Sequence, residues 1–414
     1  GVHGVVLRSG LVAGGDRNRV YDNHGAIGGG GQNQAGNDDS DLLTAIYATV
    51  GGGLLNTASA DYATVGGGRQ NQATADYATV GGGYLNTADA ISSTIGGGEH
   101  NTASGPESTV GGGSYNTASD YADTIGGGYS NAADGPRATI GGGDTNTATG
   151  DRSTIGGGES NETSGDRSTI GGGQDNQATA TGTHATIGGG QENTANADHD
   201  TIGGGYSNET DGPRATIGGG DDNTATGDRS TIGGGGTNQA SGDYGTVGGG
   251  QSNQATNTHA TVGGGQTNTA SGQHATVGGG YENQAQGQYD TVSGGHKNIV
   301  AATAGAIGGG ENNDIDANST HATIGGGYDN NITTYGNYAT IGGGYLNTAS
   351  AISATVSGGD SNTAQGDASA IGGGEDNSID ANGDWATIGG GEVNTANAQH
   401  DTIGGGWSNE ADGP

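Results

Sequence analysis

The chain has no cysteine, methionine or phenylalanine, and among 414 residues only four prolines and two tryptophans. Without cysteine, no disulfide staples the fold and no thiolate is on hand as nucleophile or metal ligand. No stretch approaches the ~20 consecutive apolar residues that a membrane-spanning helix requires. Positive charge is scarce too: ten Lys and Arg stand against 44 Asp and Glu, a formal net charge of −34. That balance excludes nucleic acid as a partner, because phosphates demand a basic surface, and favours a soluble chain that attracts divalent cations. Hydrophobic residues make up only 28%, and a conventional globule of this length needs more large apolar side chains to offset chain entropy.

What is present is glycine, 98 residues of it, clustered in triplets. It does not fall at every third residue, which excludes a collagen helix. The triplets mark a repeat. Its typical unit is Ala-Thr-Val-Gly-Gly-Gly-x-x-Asn-x-Ala-x-x-x-x, as from Ala63 to Tyr77. Counted by the residue after the Ile or Val, 26 coils start at 13, 28, 51, 66, 81 and so on to 404. From position 28 onward nineteen intervals are 15 residues, four are 17 and one is 23. The residue before the triplet is Ile or Val in all 26 coils and the one before that is Thr in 22. An asparagine lies five residues after the start of every triplet, among them Asn18, Asn33, Asn56, Asn71, Asn86, Asn101, Asn146, Asn223, Asn313 and Asn409. Disorder does not keep such columns in phase, whereas a solenoid does, because each coil lays its residues over those of the coil before.

The expected fold is therefore all-β: a β-solenoid, or β-roll, of about 26 short coils with one or two short strands each. The β-branched run Tyr-Ala-Thr-Val reads as one strand, the glycine triplet as a sharp corner, and Asn-x-Ala as a second extended segment. At about 4.8 Å per coil, 26 coils would span roughly 125 Å. Residues 1–12 read as an N-terminal segment or assembly end, and 13–414 as a continuous array with an insert at 34–46. The asparagines have two structural readings. One is an inward ladder in which each carboxamide donates to the next coil and accepts from the previous one. The other is a local cap, with Asn itself in the left-handed region. We favour the ladder, because an exposed column would not stay unsubstituted. In three of the 17-residue coils the inward-reading Ala becomes Ile315, Ile332 or Ile379, a larger side chain where the loop is larger.

The order Ala-Thr-Ile-Gly-Gly-Gly-x-x-Asn-Thr-Ala-Ser-Gly resembles the head repeat of YadA-like trimeric autotransporter adhesins. Ile140-Gly141 and Asn146-Thr147-Ala148-Thr149-Gly150 carry the match, and the likeness runs from about Leu11 onward. It implies a left-handed β-roll, three chains around an axis with the Ile/Val columns partly at the trimer interface, and a place outside the cell or at its surface. The coiled-coil stalk and membrane barrel of that family have no counterpart here. The absence of an initiator Met at Gly1 reads as a mature or trimmed product, consistent with export. If Pro414 abutted Gly1 of a second copy, the coil so formed would hold 23 residues, the length of the coil beginning at Gly28. Head-to-tail stacking is thus expected, with Val2, Val5, Leu7, Trp407 and Pro414 at the joint.

The column four residues before the triplet is the most unusual outward one. It is His in seven coils, Tyr in six, Arg in five and Trp in one, and includes His24, Tyr62, Tyr77, Arg137, Arg152, Arg167, His184, His199, Arg214, Arg229, His259, His274 and Trp385. Such a stripe suits a glycan, matrix or partner-fibre contact. It equally suits amphipathic cover of a strand edge, with pairing as in Asp151-Arg152 and Asp166-Arg167, or a lateral assembly contact. His184 and His199 fall in adjacent coils, as do His259 and His274, but the spacing supplies no third metal ligand. The acidic run from Asn37 to Asp41 matches no calcium-loop spacing, so no cofactor is expected, calcium being the one ion such loops would suit. The Thr column, from Thr49 to Thr402, is single-file rather than the paired rows of ice-binding solenoids. Nothing resembles a catalytic set, and the triplets lack the Gly-Lys-Ser/Thr of a phosphate loop. The reading is a non-enzymatic structural protein, an extracellular fibre subunit or surface rod that associates with itself as a filament or trimer. The second reading is an adhesin or phage-type fibre head that binds glycan or matrix, and the third an ice-binding protein.

Overall fold

A computed structural model describes residues 9–39 and 43–413. Val2, Val5, Leu7 and Pro414 lie outside these residues, while Trp407 is described and largely exposed. The chain divides into two compact units, Gly1–Ser207 and Asn208–Pro414, and each by itself is a β-solenoid. Every regular element among the described residues is a two-residue strand. Among the described residues no helix is long and apolar enough to cross a membrane.

In the first unit, Leu11–Val12, Ala26–Ile27, Thr49–Val50 and their successors to Thr201–Ile202 form one parallel sheet. Arg19–Val20, Gln34–Ala35, Thr57–Ala58 and their successors to Thr194–Ala195 form a second. The second unit repeats this arrangement, with Thr216–Ile217 to Thr402–Ile403 on one side and Glu209–Thr210 to Glu410–Ala411 on the other. On a third side one residue per coil pairs with its counterparts, as Leu54, Arg69 and Tyr84 do. Register equals the repeat: Thr64 faces Thr79 and Val65 faces Val80. Longer coils do not slip it, since Thr169 faces Thr186 across a 17-residue interval. Gln34–Ala35, at the start of the expected 34–46 insert, keeps its place in the second sheet.

The strand expected over Tyr-Ala-Thr-Val is confined to Thr-Val, because the residue four before the triplet turns into the left-handed region. Arg152, at φ 56°, is typical. A second left-handed residue precedes each ladder asparagine, as Thr145 at φ 56° precedes Asn146. The left-handed residue is therefore the neighbour of the asparagine and not the asparagine. For a non-glycine residue this conformation costs about 1 kcal/mol, and two are spent per coil. They reverse the local peptide. Strand N–H groups donate forward, as Thr147 N does to Asn161 O at 2.9 Å, whereas Thr145 N donates back to Tyr129 O and Arg152 N to Pro136 O, each at 2.9 Å.

That reversal leaves the asparagine N–H pointing at the coil before, with no carbonyl opposite, and the preceding asparagine side chain meets it. Asn146 N donates to Asn131 Oδ1 at 3.0 Å, and Asn161 N to Asn146 Oδ1 at 3.0 Å. Asn146 Nδ2 shares its two hydrogens among Gly142 O at 3.1 Å, Gly158 O at 2.9 Å and Asn131 Oδ1 at 3.0 Å. The ladder is real, but its sense differs from the expected one: the carboxamide oxygen accepts from the following coil's backbone, and the amide chiefly clamps glycine carbonyls. Those carbonyls belong to a corner only glycine can make. Gly143 has φ 98°, and a Cβ there would collide with the Gly158 carbonyl oxygen and lie 2.6 Å from Asn146 Nδ2. The third triplet position is accordingly glycine in all 26 coils, a column as unbroken as the asparagines.

The interior is narrow. In one coil Ile140, Asn146, Ala148 and Ser153 are all fully buried. From Ile27 on, the Ile/Val side chains are enclosed by their own chain's coils, with Ile140, Ile155 and Ile170 at 0% exposure. They do not form the between-chain surface that the adhesin resemblance implied. Interior volume is balanced locally. Ile315, Ile332 and Ile379 are buried as expected, and Gly336 and Gly383 leave room for the γ-methyls of Ile332 and Ile379. Two ordinary coils use the same device. Val20 and Val300 stand where Ala is usual, and the residues five positions on are Gly25 and Gly305. A Cβ on these glycines would lie 2.8 Å from Val20 Cγ1 and 2.6 Å from Val300 Cγ1.

Asn146→Asp removes both amide donors and sets a carboxylate against two carbonyls, so it should cost about 3 kcal/mol or more. Chemical denaturation would measure this; the Asn161 N–H keeps its side-chain acceptor in the variant, so the loss falls on the Gly142 and Gly158 carbonyls. Gly305→Ala and Val300→Ala should each destabilise by about 1–3 kcal/mol. The double variant restores the common Ala/Ala pair, so a double-mutant cycle should show most of the loss recovered.

Candidate surface site

The predicted stripe occupies the left-handed corner of each coil, which points its side chains outward and stacks them one strand spacing apart. His24, Tyr47, Tyr62 and Tyr77 form a continuous pile with centroid separations of 4.6, 5.0 and 5.1 Å. In the second unit Tyr244, His259, His274 and Tyr289 do the same at 4.9, 4.7 and 5.1 Å. Trp385 stacks on His400 at 5.3 Å. These separations follow the roughly 4.8 Å between neighbouring strands. Within each pile the facing ring faces cover one another, and the inner rings present mainly their edges and polar atoms to solvent. The residues after the triplet form further ring pairs that sequence reading passed over. His100 stacks on Tyr115 at 4.8 Å and Tyr328 on Tyr345 at 5.4 Å. The signal for them was the shared column position, obscured by the many other residue types that column holds.

The arginines sit in the same row, but their surroundings differ. Arg137 lies over the Tyr121 ring at 5.1 Å, and Arg229 over Tyr244 at 5.3 Å while also donating to the Tyr244 hydroxyl. Arg152 pairs with Asp151 at 3.4 Å and Arg229 with Asp228 at 3.2 Å. The expected Asp166–Arg167 pair does not form among the described residues, and Asp166 instead caps backbone. Its Oδ1 accepts the N–H of Asp151 at 3.0 Å. Asp76 receives Asp61 N at 3.1 Å, Asp243 receives Asp228 N at 3.1 Å and Asp384 receives Asp367 N at 2.9 Å in the same way. The residue before the stripe thus caps backbone at the second left-handed corner as the asparagine does at the first, but in the opposite sense: it serves the preceding coil, and the asparagine the following one. Among the described aspartates of this column, two have a buried oxygen without a partner, Asp151 Oδ1 and Asp228 Oδ1. Fifteen residues before them stand Pro136 and Pro213, and proline has no N–H to give. Arg214 keeps the left-handed φ of its column, at 62°.

The two histidine pairs differ. His184 and His199 stack at 4.7 Å with an interplanar angle of 10°, and Asp198 stands beside both. Its carboxylate oxygens lie 3.9 Å from His184 Nδ1 and 2.8 Å from His199 Nδ1. The Thr183 hydroxyl donates to it as well. That hydrogen bond, and next the one from His199, hold the Asp198 carboxyl below the usual carboxylate range. A third donor group, which spacing alone did not supply, thus comes from the residue adjoining His199, since stacking brings it over the coil of His184. His259 and His274 are preceded by Thr258 and Gln273 and have no such carboxylate. The acidic run from Asn37 lies partly outside the described residues, and Thr44 Oγ1 donates to Asn37 Oδ1 and Asp39 Oδ2. The Thr row stands on the outer face of its sheet, half-buried and single-file, as at Thr64 and Thr79.

The chain matches no protein-family model and no curated protein.

Inside the coils, Asp123 and Asp290 replace the usual Ala or Ser three residues before a triplet, and burial pushes each carboxyl up to about 6. Asp123 accepts Asp120 N at 2.8 Å and Ala138 N at 3.0 Å. Because the folded-state value is raised, the penalty is absent where the carboxyl is protonated in both states, below about pH 4. It grows through pH 4–6 and is complete above that. Asp123→Ser should therefore raise the thermal midpoint at pH 8 and lose that advantage at pH 4. Ser93, accepting Ala90 N at 3.3 Å, shows that serine fits this column.

Proposed function

We propose that the protein is a non-enzymatic structural element, a subunit of an extracellular fibre or surface rod built from stacked solenoid coils. The observation that carries this reading is that the repeating rows are spent on one another along the stacking direction. Asparagines cap the next coil's backbone, aspartates at the second corner cap the preceding coil's, and ring faces of the surface stripe cover neighbouring rings. A carbohydrate-binding platform needs open ring faces, so the stripe fits a stabilising or lateral packing role better than a glycan site. Association with copies of itself along the coil axis belongs to the proposal, because a parallel in-register ladder accepts one more coil through the same hydrogen bonds. The extracellular setting rests on the likeness of the coil to adhesin head repeats.

Negative-stain microscopy of the purified chain, paired with a glycan array, tests the reading. Fibres or laterally bundled particles without glycan capture are expected. Discrete particles that bind a defined glycan, and lose it in an Arg152→Ala/Arg167→Ala/His184→Ala variant, would overturn it in favour of an adhesin head.

A further inference from the structure

We propose that His184, Asp198 and His199 form a surface site for a divalent transition metal of the zinc, copper and nickel class. One donor atom from each residue lies within 4.8 Å of the others. A tetrahedral ion holding nitrogen and oxygen at about 2.1 Å keeps them roughly 3.4 Å apart. The two nitrogen-to-carboxylate distances, 2.8 and 3.9 Å, fall on either side of that value. The parallel rings have to tilt toward a common ion, and side chains 40% and 49% exposed have the room to do so. Water completes the shell.

The fold supports the site in three ways. The two histidines occupy equivalent left-handed corners of successive coils, with φ 58° and 62°, so their Cα positions are held by the ladder beneath. The Thr183 hydroxyl orients the carboxylate from behind, as outer partners of metal ligands do. Two imidazoles and one carboxylate select the imidazole-loving ions over calcium and magnesium, which take oxygen ligands in larger numbers. Among the described residues this is the one cluster of three such groups. His259 and His274, stacked at the same 4.7 Å without a carboxylate, form a control within the same chain. The site depends neither on the fibre reading nor on any ligand of the stripe.

Calorimetric titration of the full chain with zinc, in excess magnesium to occupy weak acidic sites, tests the proposal. One zinc site per chain is expected. His184→Ala and His199→Ala should each weaken it at least about tenfold, and Asp198→Asn by about tenfold. His259→Ala/His274→Ala should leave it unchanged. The fold tolerates these changes, since Ala122, Ala304 and Ala368 already stand in the histidine column and Asn337 in that of Asp198, and circular dichroism verifies each variant. Zinc binding equal in the parent and the His184→Ala/His199→Ala double variant would overturn the assignment. An equal loss on removing His259 and His274 would do so too.

Discussion

The hydrogen bond from an asparagine N–H to the side-chain oxygen of the asparagine one coil earlier is the interaction on which the rest depends. A solenoid coil must turn corners, and each corner in this chain includes a left-handed residue whose peptide points against the direction of the strands. A buried N–H without a partner costs about 1–3 kcal/mol, and the fold would accumulate that loss in every coil. Asparagine resolves it because one side chain carries both an acceptor for the next coil's N–H and donors for the glycine carbonyls on either side. Aspartate lacks the donors and glutamine is a methylene too long. The glycine column follows from the same geometry, since the clamped carbonyls lie where a Cβ would be.

The second corner obeys the same requirement with a looser solution. Aspartate occupies the capping position in many coils, and elsewhere the residue varies, because this corner faces solvent and water can take the place of the side chain. Charge on the surface therefore has a structural cause. Asp76, Asp166, Asp243 and Asp384 beside the stripe receive backbone N–H groups, and the same column presents carboxylates to neighbouring arginines and histidines. Where Pro136 and Pro213 remove the donor, Asp151 and Asp228 each keep an unpaired oxygen, and Arg152 and Arg229 hold the other. A histidine-aspartate-histidine cluster arises at the one stacked histidine pair that has such an aspartate beside it.

Much of the fold was legible in the columns. The coil boundaries, the inward Ile/Val and Asn, the outward stripe and the tie between longer coils and Ile315, Ile332 and Ile379 all follow from periodicity, because stacking transfers identical environments to identical positions. Less legible was the backbone. Left-handed residues are usually announced by glycine or asparagine, but here they are Thr145, Arg152, Tyr62 or Leu55, held there by the ladder and not by their own preference. The same disguise stretched the expected strand over Tyr-Ala-Thr-Val. It also left the Val300–Gly305 compensation unseen, since two residues five apart in sequence meet only once the turn between them is closed.

The sequence by itself determined that the chain is a β-solenoid, with its period, its inward and outward columns and its unbroken polar ladder, because a repeat carries its own alignment. The tertiary structure alone decided which N–H each asparagine serves, that Ile and Val from Ile27 on are enclosed within one chain, that rings of the stripe stack face on face, and that Asp198 joins His184 and His199. Those outcomes depend on distances across coils and on backbone dihedrals imposed by the stack, and neither is encoded in any single residue's identity.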